Sequence, residues 1–165
     1  MQLKEMQKNK TILFLIKFGV IFFVLHFLVW SIPVLFLQNW IAFLQAGFFE
    51  LPLQDNLIYL NQKQILINPS CTGLISLSIL AAIIFSLTKP EMKKKIQIFV
   101  LAGSIMFVLN LLRIYFVLWT GINFGEDLIE VLHEISWMTT AIFIIGLWYY
   151  FTKRITKVKE FNELL

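Results

Sequence analysis

Three side chains carry the chemistry this chain can offer: Cys71, Arg113 and His133, with Asn110 close to the arginine. A thiol, an imidazole and a guanidinium are the parts needed for acyl transfer through a thioester. The imidazole takes the thiol proton, the thiolate attacks a carbonyl, and the cation stabilises the resulting oxyanion. Cys71 is the single cysteine of the chain, so it forms no internal disulfide. One Cys, one His and scattered carboxylates do not make a closed zinc set, and neither a metal nor another cofactor is expected. Each of the three also has a plainer reading. A cysteine at a helix end is ordinarily a small packing residue, a histidine there an interfacial polar group, and an arginine near a span end a snorkelling anchor.

The neighbours shift that balance. Asn68 or Ser70 can cap a helix and Pro69 suits its first turn, which leaves the Cys71 sulfur near a positive helix end, where thiolate is favoured. Gly73 lets another backbone approach. Arg113 lies about 26 Å of helix rise beyond Ile96, and apolar residues from Ile114 to Trp119 still follow it. This points to burial in a helix bundle near an acceptor. Asn110, three residues earlier, shares its face. His133 has Ser136, Trp137 and Thr140 on its own face, at spacings of three, four and seven. His26 is the contrast, with no polar companion at helical spacing except Trp30, and it reads as a packing residue.

The elements that must position these residues follow from composition. The chain has 165 residues, 59% hydrophobic and only 15% charged, against about 45–50% and about 25% in soluble domains. It is a membrane protein, in the length range of one domain. Four apolar runs are expected as membrane spans: Thr11 to Leu37 with a bend at Pro33, Cys71 to Thr88, Ile96 to Thr120, and Leu132 to Phe151. The expected fold is all-α and polytopic, with four transmembrane helices in one membrane domain. Asn39 to Phe49 reads as an interfacial or re-entrant helix. Asn56 to Ile67 places two β-prone runs around a polar centre, Asn61 to Gln64, and reads as a short β-hairpin just before the second span.

Basic residues set the expected orientation. Lys4, Lys8, Lys10 and Lys17, then Lys89, Lys93, Lys94 and Lys95, then Lys153, Arg154, Lys157 and Lys159 leave only Lys63 and Arg113 elsewhere. Glu50, Asp55, Glu126, Asp127, Glu130 and Glu134 fall on the opposite side. Both termini are expected in the cytoplasm and the loop 38–70 outside. The first run is too long for a signal peptide and lacks a small-residue cleavage site. The net charge of +4 is then the sum of a basic inner face and a mildly acidic outer one, and calls for no nucleic-acid partner. Cys71, Arg113 and His133 all fall in the outer leaflet, where three helices can converge on one pocket.

At these residues the chain resembles the exosortase/archaeosortase family of membrane transpeptidases. The matching pieces are Cys71-Thr72-Gly73-Leu74 at the start of a span, Asn110-Leu111-Leu112-Arg113 near the outer end of the next, and His133 opening the one after. Together with the β-prone stretch before the cysteine, the resemblance covers about Asn56 to Phe151. Many family members have extra amino-terminal spans, so this chain looks like a small, minimal-core version. The basic residue that often follows the family's glycine is missing from Leu74-Ile75-Ser76.

The resemblance implies Cys71, Arg113 and His133 as the catalytic set. Asn110, Ser70, Thr72, Gly73 and Trp137 would bind substrate or support the three. It also implies a partner: an exported protein with a carboxy-terminal sorting signal of three parts, namely a recognition motif, one membrane helix and a basic tail. Cys71 would cut it at the outer face of the cytoplasmic membrane, and an acceptor nucleophile of open identity would resolve the thioester. Two other readings stay open. One is a non-catalytic membrane accessory subunit; the other is a thiol-dependent lipid acyltransferase.

Overall fold

The first apolar run is two helices in the computed structural model, which describes residues 2–60, 63–157 and 163–164. Helix α1 covers Gln2–Ser31 and α2 covers Leu35–Phe49. Pro33 lacks an N–H and pushes its predecessor out of helical geometry, so the run breaks between them instead of bending. Glu50 ends α2 in the left-handed region, its N–H closing on the Ala46 carbonyl. The expected interfacial segment Asn39 to Phe49 is thus most of α2. Its Ile41, Ala42 and Ala46 pack with Ile58, Ile67, Cys71, Ile114 and Leu118 in one buried cluster.

The expected hairpin is present and has an extra strand. β1 (Leu53–Gln54), β2 (Leu57–Leu60) and β3 (Lys63–Leu66) form an antiparallel sheet in the order β1-β2-β3. Leu57 faces Leu66 and Leu60 faces Lys63 across β2 and β3. Asn61 and Gln62 of the expected polar centre lie outside the described residues, as do Lys159 and the side chain of Lys4.

The second expected span, Cys71 to Thr88, is corrected. A 3₁₀ turn, Pro69–Thr72, carries the cysteine, and α3 begins only at Leu74 and ends at Ser86. Gly73 separates the two in the left-handed region, at φ 80°, a conformation that glycine takes without steric cost. Thirteen residues rise about 20 Å, against a hydrocarbon core of about 30 Å. Among the described residues three helices, not four, are long and apolar enough to cross: α1 from Gln7, α4 (Met92–Phe124) and α5 (Leu128–Thr156).

α3 packs against α1, α4 and α5. Small residues permit this closeness: Ser76, Ser78, Ala81 and Ala82 are buried on α3, and a Cβ at Gly103 of α4 would stand 3.2 Å from Leu77. Leu80 and Ile84 meet Ile98, Ala102, Met106 and Ile144 in a second cluster. α1 leaves Phe23 and Phe27 about 70% exposed, a face that suits lipid and would not suit water.

Candidate active site

Cys71 is held by its own turn. Asn68 caps it, its Oδ1 accepting from the Cys71 N–H at 3.2 Å, and Pro69 occupies the first position. The Ser70 hydroxyl donates to the same Asn68 oxygen. The Thr72 hydroxyl donates to the Pro69 carbonyl at 2.6 Å and accepts from the Leu74 N–H at 3.3 Å, linking the turn to α3. These local bonds fix the cysteine backbone without using its sulfur. The residue is 6% exposed.

Helix α4 reaches this turn through Asn110. Its Nδ2 donates to the Cys71 carbonyl at 2.8 Å. Gly73 makes the approach possible, since a Cβ there would stand 3.1 Å from the Asn110 Cγ. The Asn110 Oδ1 is buried without a hydrogen-bond partner among the described residues. One turn on, Arg113 buries Nε and both terminal nitrogens, again without a hydrogen-bond partner there. Its guanidinium carbon sits 4.6 Å from the centre of the Trp137 ring, a cation–π contact that holds the charge without consuming its N–H groups. Trp137, on the α5 face that carries His133, thus links Arg113 of α4 to that helix.

Helix α5 brings His133, half-buried, with its ring edge-on to Trp137 at 6.4 Å between centroids. Trp137 therefore touches both the cation and the imidazole. Ser136 and Thr140, on the same face, close onto the carbonyls of His133 and Ser136 at 2.6 and 2.8 Å. His26 sits elsewhere, ringed by Phe22 and Trp30.

Two cavities meet at this cluster. A cleft of about 340 Å³ has Cys71 and His133 in its walls, with β3 and Asn68 on one side and Glu130 and Glu134 on the other. A chamber of about 370 Å³ lies between α4 and α5 and is lined by Asn110, Arg113, Ser136 and apolar residues such as Met106 and Phe143. Val117 borders both. Among the described residues, no group of three or more His, Cys, Asp or Glu is placed to hold a metal ion.

Two contributors are not singled out by sequence. Lys63 lines the cleft, donates to the Glu126 carbonyl at 3.2 Å and pairs with Asp127 at 3.4 Å and Glu130 at 3.8 Å. It thereby ties β3 to the start of α5. Gln45, buried on α2, donates to the Leu111 carbonyl of α4 at 3.0 Å. A polar amide inside an apolar stretch is the signal that marks it.

Sequence comparison adds one match. The family described as transmembrane exosortase (Exosortase_EpsH) matches residues 7–150. No curated protein and no solved structure matches the chain. The match takes in the Cys71 turn, the Asn110–Arg113 turn of α4 and the start of α5, and so covers every part of the site: the chain belongs to the transmembrane exosortase family.

Proposed function

We propose that this chain is a cysteine transpeptidase or protease that removes a carboxy-terminal sorting signal from exported proteins at the outer face of the cytoplasmic membrane. The observation that carries the reading is the convergence of the cysteine turn, α4 and α5 on one cleft. Cys71 and His133 share its walls, and the unpartnered guanidinium of Arg113 stands one helix turn beyond Asn110, which bonds the Cys71 carbonyl.

The steps follow from those positions. His133 takes the Cys71 thiol proton, and the thiolate adds to the carbonyl carbon of the scissile peptide bond. The new oxyanion accepts from the N–H groups of Arg113, which have no competing hydrogen bond to break. Collapse breaks the C–N bond, and His133 returns its proton to the leaving amine. The acyl group stays on Cys71 as a thioester until an amine or water takes it. Asn110, bonded to the Cys71 carbonyl, sets the sulfur relative to Arg113 one turn away. The basic residues of the amino end, the α3–α4 connection and the carboxy end support cytoplasmic placement of both termini, which leaves the cysteine turn outside.

The test is co-expression with a membrane-anchored, tailed reporter, read by intact-mass spectrometry. Tail loss with the wild-type chain that vanishes with Cys71→Ala at equal protein level supports the reading. Tail loss that survives Cys71→Ala overturns it and leaves the thiol a packing residue.

A further inference from the structure

We propose that the open edge of β3 is the binding strand for the substrate peptide, which adds to the sheet as a fourth strand and so delivers its scissile bond to Cys71. This rests on the peptidase reading above.

The argument begins with hydrogen-bond alternation. In an antiparallel pair, every second residue turns its N–H and C=O toward the partner strand and the residues between turn theirs away. The Ile67 N–H bonds the Asn56 carbonyl at 2.9 Å. Two-residue steps along the register then make Ile58–Ile65 and Leu60–Lys63 the pairs that face each other. The Tyr59 N–H, one position off, accordingly points the other way and bonds Pro52 at 2.9 Å. By the same alternation, the backbone groups of Gln64 and Leu66 point away from β2. Among the described residues no strand pairs with β3 on its far side, and that edge borders the cleft that contains Cys71 and His133.

Three features say what belongs there. The edge offers alternating backbone donors and acceptors, which an extended peptide matches and a helix does not. β3 continues through Ile67 and Asn68 into the turn that carries Cys71, so a strand paired with it runs to the nucleophile. The opposite wall is acidic, with Glu130 and Glu134 exposed, while Lys63 is engaged by Asp127 and Glu130. The fitting occupant is an extended segment, neutral or basic on its α5 side.

The test starts from a reporter library, anchored and exported, with ten randomised outer residues. Tails cut by the wild-type chain and spared by Cys71→Ala are made as synthetic peptides, and single backbone N–H groups are replaced by ester oxygen at successive positions. Assayed with the purified full chain, KM is expected to rise about 2- to 12-fold, the range of one net hydrogen bond, at every second position and to stay unchanged between. Gln64→Pro and Leu66→Pro, which remove an outward N–H from an edge strand, raise KM similarly at constant kcat; Ile65→Pro, which breaks the β2 pairing, lowers folded yield. Cys71-dependent cleavage without the period of two overturns edge pairing alone. A library with no Cys71-dependent tail overturns the peptidase reading and edge pairing with it. The ester series needs no variant and decides the matter even where the proline chains misfold.

Discussion

Helix α4 buries two cations in opposite ways. Lys95, in its first turns and 7% exposed, donates its ammonium to the Leu87 carbonyl at the end of α3. Arg113, about 27 Å further along the helix, finds no hydrogen-bond acceptor among the described residues and rests on a tryptophan face. A buried cation with an acceptor closes a helix connection. One without an acceptor carries a desolvation penalty that local structure does not offset, of about 1–3 kcal/mol or more. On the proposed reaction, that difference separates a structural charge from one kept for charge that appears at the oxyanion.

The comparison breaks first at the thiol. Cys71→Ala should lower processing by at least about 10³-fold, as expected for a nucleophile, with unchanged protein level; tail length by mass spectrometry checks it. Next, Arg113→Met should cost about 10²–10³-fold in kcat, the range for losing an oxyanion donor. It should leave thermal stability in detergent unchanged or higher, because an unpaired buried charge is removed. Lys95→Met sharpens the contrast in the opposite sense. Stability should fall by about 1–3 kcal/mol as the Leu87 carbonyl loses its donor, while kcat per folded molecule stays constant. The smallest effect is at Gly73→Ala. A side chain at φ 80° costs about 1–2 kcal/mol and presses on Asn110, so unfolding and kcat should shift together.

Residues that are unfavourable in lipid are the ones legible in sequence. Arg113, His133 and Asn110 interrupt apolar runs, and the turn residues Asn68 and Pro69 announce the cysteine's cap. The β2–β3 hairpin shows in two β-prone runs around a polar centre, whereas β1 has two residues, too few for a run. The length of α3 is hidden because hydropathy does not distinguish a 3₁₀ turn and a left-handed glycine from helix, so Cys71 to Thr88 reads as one run. Trp137 is legible as a neighbour of His133 on one face. Its contact with Arg113 depends on how α4 and α5 cross, which no local pattern encodes. The partners of Lys63 and Gln45 are hidden for the same reason, lying 63 and 66 residues away, although Gln45 itself stands out as an amide in an apolar stretch.

With the proposed reaction and the proposed orientation, in which the cysteine turn faces the outside, the shortness of α3 makes bilayer thickness a variable of the chemistry. A membrane whose inner boundary meets the Lys89–Lys95 segment leaves the Cys71 turn several ångströms below the outer boundary, since about 20 Å of helix is set against about 30 Å of hydrocarbon. The lipid around the turn must then thin, or the peptide must descend to it, at fractions of a kcal/mol per ångström of mismatch. Shorter acyl chains lower the water line toward the sulfur, and longer chains drown it.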